Sequence, residues 1–217
     1  MPGCNCGSNV KFDGLSETYK RILWIVIALN VLMFAVEMSA SVIADSMALR
    51  ADALDFLGDS LTYSITLLAI GHSIRWRASA ALFKGITLAL IGLWVLGSSL
   101  YRTLILGMPN EAVMTTVAIM AFAANMASVL LLIRYRDGDA NIRSVWLCSR
   151  NDAIGNLAVL AAAGAVFYFQ SPWPDLLVAL LMASLFLHSA TLILRQAKSE
   201  LNQASNCSVE PIISIQK

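Results

Sequence analysis

Apolar residues run along this chain in six long stretches, at roughly 21–44, 47–74, 79–106, 111–134, 142–169 and 174–195. About 20 apolar residues are what a helix needs to cross the hydrocarbon of a bilayer. The stretches are separated by Asp45-Ser46, Arg75-Trp76-Arg77, Gly107-Met108-Pro109-Asn110, residues 134–141 and Ser171-Pro172-Trp173-Pro174, segments of charge, proline and glycine that end helices and favour turns. Connections this short make consecutive spans antiparallel neighbours. The pattern predicts an all-α membrane protein built as a six-transmembrane-helix bundle.

Composition agrees with that reading. The 217 residues are 58% hydrophobic and 13% charged, with a mean hydropathy of +0.71, which excludes a soluble globular domain. A net charge of +1 supplies no electrostatic reason to bind nucleic acid. Lys11, Lys20, Arg21, Arg75, Arg77, Arg134, Arg136, Arg143, Arg195 and Lys198 fall on one side of the bundle, and Arg50 and Arg102 on the other. By the positive-inside rule both termini are cytoplasmic. The expected organisation is a cytoplasmic N-terminal tail over 1–20, a transport domain over 21–195 and a short cytoplasmic C-terminal tail over 196–217. The first apolar run is too long for a cleaved signal peptide and is expected to be retained. The expected location is a bacterial inner membrane, crossed several times.

Polar groups inside the spans carry the chemistry. Asp52, Asp55 and Asp59 lie on one face of the second span, because successive helical residues turn by about 100°. A charged side chain at mid-bilayer costs about 2.5 to 3.5 kcal/mol, so this face must look onto a polar interior, by default an ion or proton site. In the fifth span Cys148, Asp152 and Asn156 recur every four residues. Two pairs, Asp55/Asp59 and Cys148/Asp152, can therefore offer four ligand groups at one depth, a set suited to a tetrahedral divalent ion of borderline softness.

Other polar residues have plainer uses as well. Asp52 sits nearest the outer end, where it either pairs with Arg50 or supports the site at its entrance. Asp55 and Asp59 have salt bridges to Lys84 or Arg150 as an alternative role, and Arg150 can instead reach Glu37 or Asp52. Asn30 and Glu37 in the first span and Asn125 in the fourth are expected to hydrogen-bond between helices, with support of the transported ion as a second role for Glu37, Asn125 and Asn156. Cys4 and Cys6 on the N-terminal tail are candidates for capturing a thiophilic metal, the alternative being an inert tail. Neither His72 nor His188 is expected to be a ligand.

The segment from Ser46 to Asp59, with Asp52-Ala53-Leu54-Asp55 and then Asp59, resembles the second-span signature of the cation diffusion facilitator family of divalent-metal transporters. Asp55 and Asp59 fall on its two metal-ligand positions. Asn141-Ile142-Arg143 followed by Cys148 and Asp152 is similar to the start of that family's fifth span, with Cys148 where histidine is usual. The likeness covers about residues 20–198. It implies export of zinc-, cadmium- or cobalt-like ions from the cytoplasm in exchange for protons, through a site between the second and fifth spans, in a homodimer. It implies a secondary transporter rather than an enzyme, with no cofactor beyond the transported ion. The chain ends before the cytoplasmic ferredoxin-like domain of many members, so dimer contacts are expected to run through the spans. Arg150 places a cation near the site, which is expected to lower its affinity.

Ligating carboxylates and thiols must lose their protons to bind metal, so metal and protons compete for one site. The rival readings are an intramembrane aspartyl protease and a non-catalytic membrane subunit. The first lacks support in Phe56-Leu57-Gly58-Asp59, which misses one glycine of the pattern such proteases show, and the second leaves the clustered ligand groups unexplained. A soft sulfur ligand favours cadmium. Cys148→Ser is therefore expected to weaken cadmium binding more than zinc binding in parallel titrations, and equal losses would assign Cys148 to packing.

Overall fold

A computed structural model describes residues 17–68, 74–104, 107–135 and 140–207. Among the described residues the chain forms six long helices and no strand: α1 (Glu17–Ala44), α2 (Met47–Leu68), α3 (Ile74–Leu104), α4 (Glu111–Leu132), α5 (Ala140–Phe169) and α6 (Trp173–Cys207). A 3₁₀ turn, Ile133–Tyr135, continues α4. All but α2 are long and apolar enough to cross a bilayer, which makes this a multi-pass membrane protein. α2 has 22 residues, about 33 Å of helix and enough to span, but carries Arg50, Asp52, Asp55 and Asp59. At its far end α6 continues to Cys207, through the polar residues placed beyond the last span by hydropathy, since Lys, Glu, Gln and Ala sustain a helix in water.

Three junctions meet at one end of the bundle. α1 ends in a Schellman turn, with the Ser46 N–H donating to the Ser41 carbonyl at 3.1 Å and Asp45 in the left-handed region at φ 54°, a position usually given to glycine. Arg102, near the end of α3, holds Asp45 there. Its guanidinium lies 2.6 Å from Asp45 Oδ2 and donates to the Asp45 carbonyl at 2.8 Å. Asn110 caps α4 by accepting from the Val113 N–H at 3.1 Å, and its own N–H donates to the Ala44 carbonyl at 2.8 Å.

α3 packs chiefly on α6, α4 on α5 and α1 on α2. Small side chains let the axes approach closely: Ala40, Ala44, Ala48, Ala51, Ala118, Ala162, Ala163 and Ala183 make up just over half of the main buried cluster. That cluster and a smaller one of Met47, Leu176 and Ala179 join α2 to α6 on the side of the three junctions. At the opposite end Tyr19, Leu23, Val26, Tyr63, Leu132 and Val145 pack α1, α2, α4 and α5 together. Large apolar residues such as Trp24, Ile43, Phe167 and Leu177 are exposed, as suits a surface that faces lipid chains.

One inter-helical expectation is corrected. Asn30 is 2% exposed, but its amide donates to the Val26 carbonyl of its own helix at 2.9 Å.

The α3–α6 contact depends on missing side chains. A Cβ on Gly85 would lie 2.8 Å from Leu194 Cγ, whereas one on Gly97 would meet nothing within 4 Å. Overpacking costs about 1 to 3 kcal/mol, and an exposed helical Gly→Ala change gains up to about 1 kcal/mol. Gly85→Val is expected to lower the thermal midpoint of the detergent-solubilised protein, and Gly97→Ala to leave it unchanged or raise it.

Candidate metal centre

α2 and α5 run antiparallel, so four-residue steps along one meet four-residue steps along the other. Asp59 on α2 and Cys148 and Asp152 on α5 thereby bring one ligand atom each to within 4.8 Å of one another. Cys148 Sγ lies 3.7 Å from Asp59 Oδ1. Metal–ligand bonds of about 2.0 to 2.3 Å in a tetrahedron set ligand atoms about 3.3 to 3.8 Å apart, so this edge already has the required length. The other two edges of the face lie within 4.8 Å.

Asp55, one turn earlier on α2, is outside that three-residue group. It lines the same cavity, and its carboxyl reaches that of Asp152. The cavity has a volume of about 510 Å³ and lies between α2, α3, α5 and α6. Its polar lining includes Asp55, Asp59, Thr62, Lys84, Cys148 and Asp152, and the rest is largely aliphatic. Asp152 Oδ2 is buried and accepts no hydrogen bond. An orphaned carboxylate oxygen beside a thiol and a second carboxylate suits a bound cation better than a structural ion pair.

The alternative role of Asp55 and Asp59 in salt bridges finds no support among the described residues. Among the described residues the ion pairs are Lys20–Glu17 and Arg102–Asp45, neither involving an aspartate of the cavity. Arg150 is exposed, lies 5.4 Å over the Trp146 ring and donates to Asn151 Oδ1 at 3.3 Å. The expected placement of a cation beside the site by Arg150 is thus corrected, because the helix turns Arg150 away from Asp152 and out of the cavity lining. Lys84 is the cation that does line the cavity.

The remaining sequence candidates occupy other places. Asp52 is 2% exposed and is not part of the cavity lining, and its carboxyl faces Glu37, itself fully buried, rather than Arg50. The Arg50 guanidinium instead approaches Met47 Sδ at 3.9 Å. Both Glu37 oxygens, Asp52 Oδ2 and both side-chain polar atoms of Asn156 are buried without hydrogen-bond partners. Asn125 is 3% exposed on α4. Cys4 and Cys6 lie outside the described residues.

Two residues at the site went unread in sequence. Tyr63 donates a short hydrogen bond to Asp59 Oδ2, and its hydroxyl lies 3.3 Å from Ser149 Oγ. Its signal was present, since Tyr63 continues the four-residue stripe of Asp55 and Asp59. Ser149 gave none, being one of many serines in spans.

The family profile described as the cation efflux transmembrane domain matches residues 23–202. The chain is 25% identical over 188 residues to a cadmium, cobalt and zinc/H(+)-K(+) antiporter of Bacillus velezensis, covering 78% of this chain and 59% of that protein. It is 25% identical over 195 residues to the metal cation efflux system protein CzcD of Cupriavidus metallidurans, covering 84% and 61%. It is 27% identical over 216 residues to the zinc transporter ZitB of Pectobacterium atrosepticum, covering 91% and 66%. The chain thus spans about three fifths to two thirds of the length of these relatives.

Groups that orient a metal ligand typically matter by about 10- to 100-fold in affinity or activity. Tyr63→Phe removes only the hydroxyl on Asp59. It is expected to weaken zinc binding about tenfold, read by calorimetric titration in detergent, while the melting midpoint stays close to that of the parent.

Proposed function

The chain belongs to the cation efflux transmembrane domain family, and from that membership we propose that it carries divalent metal ions, zinc, cadmium or cobalt, out of the cytoplasm in exchange for protons. The observation that carries this reading is the convergence of Asp59, Cys148 and Asp152 at one point of a cavity between helices. Asp55 is the proposed fourth ligand, since it lines the same cavity one turn away. Two or three carboxylates with one thiolate form a mixed hard and soft set, which suits a borderline ion such as zinc and tolerates the softer cadmium.

Exchange follows from the same groups. Asp59, Cys148 and Asp152 bind a cation only after losing protons, so metal entry expels protons and proton entry expels metal. The Tyr63 hydroxyl donates to Asp59 and orients it for either occupant. The protein is a carrier: the matched family and relatives are efflux systems, which supports transport over proteolysis. α2 is the proposed sixth span, with its charged face turned onto the cavity. Lys20, Arg21, Arg134, Arg195 and Lys198 gather at the end opposite the three junctions, which supports cytoplasmic termini in a bacterial inner membrane. We place Glu37, Asp52, Asn125 and Asn156 as a buried polar layer supporting the site, and a homodimer joined through the spans as the working assembly.

In proteoliposomes with a pH-sensitive dye inside, a zinc gradient is expected to drive proton movement in the parent protein. Asp59→Ala and Asp152→Ala are each expected to abolish it. Transport retained in either variant would remove that residue from the site.

A further inference from the structure

The N-terminus of α2 is held by a carboxylate from another helix. Ser46 caps α2 locally, accepting from the Leu49 N–H at 3.1 Å. The next two free amides, Met47 N–H and Ala48 N–H, donate at 2.8 and 3.1 Å to Asp175, in the first turn of α6, and the Ser46 hydroxyl donates to it at 2.5 Å. Asp175 is 2% exposed. A single buried carboxylate thus accepts three hydrogen bonds while sitting on the positive end of the α2 dipole.

A second strut ties the same point to α3. Asp45, the residue before Ser46, is gripped by Arg102 through both its carboxylate and its carbonyl. Gly107 leaves room for that ion pair, since a Cβ there would lie 2.7 Å from Asp45 Oδ2. Directly beneath, Leu49, Val95, Val159 and Met182 close the space between α2, α3, α5 and α6. At the opposite end the buried cluster joins α1, α2, α4 and α5. The cavity is closed on the junction side by Leu49, Val95, Val159 and Met182, and its lining runs from Ile91, Ala158 and Val178 toward Ile65, Phe83 and Ile193 on the side of the chain termini.

We infer that Asp175 is a positioning residue of the transport cycle, a latch that fixes the start of α2 to α6 and keeps the metal cavity shut toward the junction end until the bonds to Ser46, Met47 and Ala48 part. The inference rests on the transport reading above, because only a carrier needs its site to reach both sides. Its physical basis is that α2 carries Asp55 and Asp59 on a rigid helix. Releasing its N-terminus frees α2 to tilt away from α6, and that movement opens a path from the junction end to the same ligands. The latch is breakable because the amides and hydroxyl it holds would meet water as the end opens.

Cys148 in the cavity reports which side is open. The full chain in membrane vesicles of both orientations would be treated with a membrane-impermeant maleimide, with and without zinc, and modification of Cys148 read by peptide mass spectrometry. The unaltered protein is expected to label from the terminus side and to be protected by zinc. Asp175→Ala is expected to add labelling from the junction side by several-fold with no rise from the terminus side, and Asp175→Glu to restore part of the closure. Arg102→Gln removes the second strut without touching Asp175, and is expected to shift labelling in the same direction. It carries the test alone if Asp175→Ala fails to accumulate. Junction-side labelling unchanged, or raised equally from both sides, overturns the latch. Failure of zinc to protect Cys148 in the unaltered protein overturns the metal site itself, independently of the latch.

Discussion

A carboxylate in hydrocarbon is tolerated only where the protein supplies the partners that water no longer does, and α2 carries three within eight residues. Each would cost a few kcal/mol if turned to lipid. The arrangement of the bundle answers that constraint. α5 lies antiparallel beside α2 and brings Cys148 and Asp152 to Asp59. Tyr63 shares the α2 face and donates to Asp59, and Asp52 turns instead to Glu37 on α1. Small residues on the helices around them permit the approach that places these groups together.

The molecule divides its polar groups between two tasks. At the junction end, donors and acceptors are matched: Asp175 with three donors, Arg102 with two acceptors on Asp45, Asn110 with both Val113 and Ala44. At mid-depth they are left unmatched, with orphaned oxygens on Glu37, Asp52, Asp152 and Asn156. Matched groups hold a conformation, whereas unmatched buried acceptors are places where a cation or proton belongs. The proposed carrier function would use both, one set to hold the junction end closed and another to receive the cation.

Much of this was legible beforehand because hydropathy and helical periodicity are local. The six apolar stretches became six helices, with most ends within a few residues, and the Asp55/Asp59 and Cys148/Asp152 pairs did face one cavity. The far end of α6 was missed because hydropathy reads the membrane and not the helix, which continues through Lys198 to Cys207. Arg150 was misjudged because its angle around α5 excludes Asp152 but leaves open what else it meets, in fact Trp146. Asp175 gave no sign of its role, since its partners lie 127 to 129 residues away in the chain.

By itself the sequence determined which segments are helical and apolar, and which face of each carries ligand-type atoms. Both follow from short-range rules, the length needed to cross a bilayer and about 3.6 residues per turn. Only the tertiary structure decided which of those atoms meet. It joined Asp59 with Cys148 and Asp152, set Asp55 one turn aside, withdrew Asp52 to Glu37 and gave Asp175 to the start of α2. The reason is that depth and azimuth on one helix are fixed by its own turns, while the distance between two helices depends on which side chains their contact leaves small.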